Sequence, residues 1–298
     1  MSILTIENLF KLLVIDIKNI FSLDIDVVES TSSKSHFSSN KAKGEDKYRI
    51  YYSKDAGKAE IHTVEDLMQY VVIFGHELTH CINKHNAFRS SLKEENVAIE
   101  SMADFQGARI ATALYTWGDN LKKVLKEDLK YPDELKKRKI EYSKLMGRVF
   151  SKLYKDFYQE NMSSSYPHPC KRVGLNIGGV ASFFYRMPQY QKQQGEYLWI
   201  HFYALNALDE DIRLAMGAYE EKKIERNNLL EVHRSIQGDK LQITAIDNIR
   251  AEPIFGTYYY KTDAEYLKHK EEMKEEILSY AKNSGLSELI NLGLLKES

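Results

Sequence analysis

Disulfides are the first thing this sequence can scarcely make: it holds two cysteines, Cys81 and Cys170, in 298 residues. Two thiols are too few for a cross-linked framework, and such sparing use points to a reducing, cytoplasmic setting. An excess of one charge is missing as well. The 42 basic and 43 acidic residues leave a net charge of −1, so the chain as a whole offers no field that would gather nucleic acid or an anionic membrane. Lysine far outnumbers arginine, and arginine is the residue that grips phosphate with a fork. Long hydrophobic runs are absent too. The apolar opening stretch MSILTIENLFKLLVIDIKNIF is broken by Glu7, Lys11, Asp16 and Lys18. It lacks a basic leader and a small-residue cleavage site, and so does not read as a signal peptide. No segment approaches the ~18 uninterrupted apolar residues of a membrane span. What remains is an ordinary globular composition, 43% hydrophobic and 29% charged with 5 prolines, in a chain long enough for one large domain or two small ones.

The pattern along the chain predicts an α+β, predominantly helical fold. Leu9, Leu12, Leu13, Ile15, Ile17 and Ile20 mark an amphipathic helix over residues 4–22. The serine- and lysine-rich segment 29–47 reads as an exposed loop. YRIYYS (48–53) and KAEIHTV (58–64) read as two strands of a hairpin around KDAG. Thr63 and Asp66 are spaced as a capping box, opening a helix that runs to about Asn86. Further helices are expected over about 94–116, through 118–160 with a break at Pro132, after Pro169, and from Asp263 to just before Gly285. KLQITAI (240–246) reads as a strand. Three regions follow: 1–60 with the first helix, loop and strand, 61–190 as the central unit, and 191–298 as a mainly helical part suited to recognising a substrate or activator.

The chemistry concentrates in VVIFGHELTHCINKH, residues 71–85. At 100° per residue, His80 sits about 40° from His76 and Glu77 about 100° from it, all on one side of the helix. Two imidazoles can therefore reach one ion with a carboxylate beside it. Leu67, Val71, Gly75, Leu78 and Ile82 form the opposite, buried stripe. Chance alone produces this His-Glu-x-x-His string in roughly 2% of chains this long, so its surroundings must carry the reading.

A catalytic zinc takes three protein ligands and leaves one position open. The next helix, VAIESMADFQGARIATAL, offers Glu100 and Asp104 one turn apart. Glu100 is assigned as third ligand, and Asp104 as the acceptor that fixes the tautomer of a ligand histidine. Ala103, Gly107 and Ala111 make a stripe of small side chains that would let the two helices approach closely. His85, five residues after His80, falls on another face of the same helix, Glu94 and Glu95 read as helix-start charges, and Cys81 as a small core residue.

These residues resemble the gluzincin metallopeptidases, in which HELTH followed by ESMAD is the characteristic pairing. YPHPCKR, with His168, Pro169 and Arg172, is similar to the His-Pro and downstream Arg of soluble relatives of the HtpX-type peptidases. The order of elements, the length and the lack of a membrane span are most similar to the Lit-like phage-exclusion peptidases. The resemblance covers about residues 65–180 and implies a zincin-type pair of helices at the active site. It also implies a bacterial intracellular peptidase that cuts a selected protein, as that group cuts a translation factor when a phage product triggers it.

On this reading His76, His80 and Glu100 hold Zn2+ and Glu77 is the general base. The tetrahedral oxyanion needs a donor; His168 is the first candidate, with Tyr166 and Arg172 behind it; Arg172 is also expected, with Asp104, among the residues that stand behind the ligands. The competing reading of His168 is a turn histidine that caps the next helix. A strand of the expected hairpin would offer a substrate peptide an edge to pair with. The expected partners are a protein or peptide substrate and an activating protein or peptide, with no nucleic acid and no membrane. The rival functions are a broad quality-control peptidase and a zinc-stabilised scaffold without turnover. A nucleic-acid reading rests on LKKRKIEYSK (135–144), whose interleaved acidic residues suit a solvated helix face better.

Overall fold

A buried carboxylate fixes the first helix in place. In the computed structural model, α1 (Ile6–Phe21) begins at Thr5, whose hydroxyl accepts from the Asn8 amide, and ends at Ser22 in the left-handed region. Asp16 on α1 is buried and accepts hydrogen bonds from the Asn120 and Leu121 amides and from the Asn120 side chain. It thereby caps α5 (Asp119–Glu127), a helix whose own N-cap residue is a glycine. The structure describes residues 3–31, 36–41, 48–83, 85, 93–132, 139–159, 166–186, 196–219 and 263–283. The expected strand at 240–246 lies outside them.

A small mixed sheet follows α1. Strands β1 (Ile25–Ser30), β2 (Phe37–Lys41) and β3 (Tyr48–Ser53) are ordered β1-β3-β2. β3 is central, parallel to β1 with Ile25 opposite Tyr48 and antiparallel to β2 with Phe37 opposite Tyr52. This corrects two expectations. The segment 29–47 contains a strand, because Phe37 has aromatic neighbours to pack on: Phe10, Tyr70 and Phe157. The hairpin around KDAG does not form. Ser53 instead caps the short helix α2 (Lys54–Lys58), accepting from the Ala56 amide. The chain then leaves the sheet to bond the segment before α1, with the Ile61 amide donating to the Leu4 carbonyl and the Ile6 amide to the Ala59 carbonyl.

The expected capping box is present. Thr63 Oγ1 accepts from the Asp66 amide and the Asp66 carboxylate from the Thr63 amide, opening α3 (Val64–Ile82). The remaining helices are α4 (Lys93–Trp117), α6 (Lys139–Leu153) running into a π-helical turn at Tyr154–Tyr158, α7 (Pro169–Arg186), α8 (Glu196–Asn206), α9 (Glu210–Ala218) and α10 (Asp263–Asn283). The fold is predominantly helical α+β. One apolar cluster runs from Ile6 to Leu208 and includes Phe10, Phe74, Leu78, Ile110, Leu114, Phe150 and Phe183.

Helices α3 and α4 run antiparallel at very close range, and glycine makes that possible. A Cβ on Gly107 would stand 2.6 Å from the His76 nitrogen and 2.8 Å from its Cα, and one on Gly75 would overlap the Gly107 carbonyl. Both obstacles are backbone, which cannot swing aside. Gly107→Ala is therefore expected to destabilise the protein by about 1–3 kcal/mol through overpacking, despite alanine being the better helix former. Urea unfolding checks this; an unchanged midpoint would mean that the helices part at no cost.

Candidate metal centre

The α3–α4 pair brings three donor atoms to one point. His76 and His80 project from successive turns of α3, and Glu100 from the facing part of α4. Their edges are 3.1 Å from His76 Nε2 to His80 Nε2, 3.2 Å from His76 Nε2 to Glu100 Oε2, and 3.4 Å from His80 Nε2 to Glu100 Oε2. Ligands about 2.0–2.1 Å from a tetrahedral zinc stand about 3.3–3.4 Å from one another, so the triangle has the size such an ion requires.

The hydrogen-bond partners of the ring behind this triangle suit a set of metal-facing acceptors. Asp104 Oδ1 lies 3.0 Å from His76 Nδ1, and an ionised carboxylate can only accept, so Nδ1 carries a proton there. The Nε2 lone pair of His76 is then free to face inward in the neutral ring. Glu100 is buried, and its Oε2 faces the two imidazole edges. Such a convergence of acceptors needs a cation, either an imidazolium proton or a metal ion. Burial alone would lower the His76 pKa; the Asp104 hydrogen bond and the Glu100 carboxylate outweigh it and lift it to about 10. Burial likewise acts to raise the Glu100 carboxyl, but His80 and His76 hold it well below the usual carboxylate range.

Asp104 is itself held from behind. Arg172, near the start of α7, is buried and donates from Nε at 2.8 Å and Nη2 at 2.9 Å to the two Asp104 oxygens. Its guanidinium lies 3.9 Å from the Tyr158 ring centre and 5.0 Å from that of Tyr166. The π-helical turn carries Tyr158 into this stack. The expected acceptor role of Asp104 thus has its geometry, and Arg172 stands behind it as the donor to that carboxylate.

Glu77 is half-buried, one residue along α3 from His76. Its charge acts on both Tyr166 and Cys81. Tyr166 is half-buried; burial, with Glu100 and Glu77, pushes its phenol up to about 12, so at neutral pH it is a hydrogen-bond donor. His168 is not among the three converging residues. Its side chain is exposed, stacks on Tyr219 with ring centres 4.5 Å apart, and accepts at Nδ1 from the Cys170 amide. This is the geometry of a turn histidine capping α7. Cys81 is buried against the Arg49 carbonyl, a core residue as expected.

One contact was not legible from spacing. His85 is fully buried, with Nδ1 2.8 Å from Nδ1 of His80. A continuous helix would carry His85 away, but α3 ends at Ile82, where the Asn83 amide closes on the Thr79 carbonyl and its side chain bonds Gln106. Asn83, just after Ile82, was the available signal for a stop.

Comparison with protein-family models, curated proteins and solved structures found no match for this chain.

Proposed function

We propose that this protein is a zinc-dependent endopeptidase of gluzincin type, selective for a protein substrate inside the bacterial cytoplasm, in the manner of phage exclusion or stress response. The observation that carries the reading is the triangle of buried acceptor atoms from His76, His80 and Glu100, with Glu77 at the adjacent helix position. A purely structural zinc site has no use for that glutamate, and it ordinarily closes its fourth position with another protein ligand. Among the described residues, the metal-competent group contains these three side chains alone.

When bound, zinc supplies Lewis acidity, lowering the pKa of water toward neutrality and polarising a carbonyl. Glu77 takes up the proton of the attacking water and returns it to the leaving amine. Tyr166 donates its phenolic proton in a hydrogen bond to the developing oxyanion. Strand β2 lies at the edge of the sheet, packs against α3, and reaches Cys81 through Ser39. That edge, in place of the hairpin expected from sequence, would align an extended peptide beside Glu77. Two free, buried cysteines suit a reducing compartment. No helix among the described residues is long and apolar enough to cross a membrane.

The first test is metal content. The purified protein is expected to bind one zinc per chain, and Glu100→Ala to lose it or bind it far more weakly. Full occupancy in that variant would place the third ligand elsewhere. Removing zinc with a chelator and restoring it should abolish and recover cleavage together.

A further inference from the structure

We propose that His85 is the positioning residue for the ligand histidine His80, holding its ring and selecting its tautomer as Asp104 does for His76; this rests on the metal-centre reading above. The two rings meet Nδ1 to Nδ1 at 2.8 Å, with centres 4.9 Å apart and planes at 77°. At that distance the two nitrogens share one proton, because two lone pairs or two N–H groups facing each other would repel. His80 can present a lone pair at Nε2 toward His76 and Glu100 as a neutral ring only if its proton sits on Nδ1. His80 Nδ1–H is then the donor, and His85 Nδ1 the acceptor.

The location makes the contact constraining. His85 is fully buried and His80 nearly so, so neither ring can exchange the hydrogen bond for one to bulk water. α3 ends at Ile82, and His85 meets the His80 ring at the nitrogen opposite the one that faces His76 and Glu100. The two ligand histidines are thus backed differently, one by a carboxylate anchored on Arg172 and one by an imidazole. The imidazole adds no negative charge, so the centre gains orientation at His80 without further anionic density.

The test compares His85→Leu, which removes the acceptor but keeps an apolar filler, with His85→Asn, whose amide oxygen can replace Nδ1 as acceptor. Zinc affinity is measured by competition with a chromophoric chelator, and folding by circular dichroism of the metal-free proteins. His85→Leu is expected to bind zinc 10- to 100-fold more weakly, and His85→Asn to stay within about threefold of wild type. Wild-type affinity in His85→Leu would overturn the inference, as would equal losses in both variants. Should His85→Leu fail to fold, nitrogen-15 spectra of the zinc-loaded wild type decide: a proton on His80 Nδ1 coupled across the hydrogen bond to His85 supports the role, and its absence refutes it. Failure of the metal reading itself looks different, since the wild type would then bind no zinc.

Discussion

Glu77→Gln should keep its zinc, its fold and its unfolding midpoint, and lose cleavage by at least about 10²–10⁴-fold, the usual contribution of a general base. That is roughly 3–5 kcal/mol of barrier from one oxygen replaced by an amide nitrogen. The selectivity of the effect comes from where Glu77 stands. It is not one of the three converging donors, so the substitution leaves the ligand set intact. Its partial exposure means that no buried charge is stranded. Glutamine preserves the shape but cannot accept a proton at neutral pH. The measurement compares new protein N-termini in bacterial cells expressing wild type or Glu77→Gln, with zinc content checked on both purified proteins. A few sharp sites specific to wild type would establish a selective peptidase and name its substrate, and many scattered sites would point to quality control. Equal cleavage by both proteins would sink the assignment of Glu77 as base.

The parts of this site that were legible in the sequence are those written in local spacing. The capping box at Thr63 and Asp66 involves two residues three apart, and the pairing of His76 with His80 follows from helix geometry alone. The Ala103–Gly107–Ala111 stripe signalled a close helix crossing, and Gly107 does meet the His76 backbone. What escaped depends on tertiary partners or on where an element stops. Strand β2 has a polar, strand-poor sequence, SSNK after Phe37, and is ordered by β3 on one side and by aromatic packing of Phe37. The parallel pairing of β1 with β3 bridges residues that no short-range pattern connects. His85 was misplaced because helical projection was carried past Ile82, and its buried side chain meets His80 instead of the far face. The segment YPHP contains two residues that the turn sends different ways: Tyr166 against the Arg172 guanidinium, His168 onto the Tyr219 ring.

Asp104→Asn should cost about 3–5 kcal/mol of stability, the penalty for breaking a buried ion pair from one side. Asp104 accepts from His76 Nδ1, Arg172 Nε and Arg172 Nη2 at once. Burial pushes its carboxyl up, but Arg172 and His76 outweigh that and hold it below the usual carboxylate range, so it is ionised at neutral pH. An asparagine has one acceptor oxygen and turns an NH2 group toward donors. Arg172 would remain buried with a charge, facing mainly the Tyr158 ring. Arg172→Met should also destabilise, leaving a buried carboxylate with the His76 Nδ1–H, 3.0 Å away, as its donor. The double variant Asp104→Leu/Arg172→Met removes both charges together and should be more stable than either single variant, since apolar replacement of a whole buried pair is often neutral. Zinc affinity should not recover with it, because His76 still lacks the acceptor that fixes its tautomer, and a 10- to 100-fold loss is expected to persist. Urea unfolding and chelator competition on the same four proteins separate the two roles. Recovery of both quantities would mean that the pair serves stability alone. Recovery of neither would mean that Asp104 and Arg172 act independently, against the geometry that joins them.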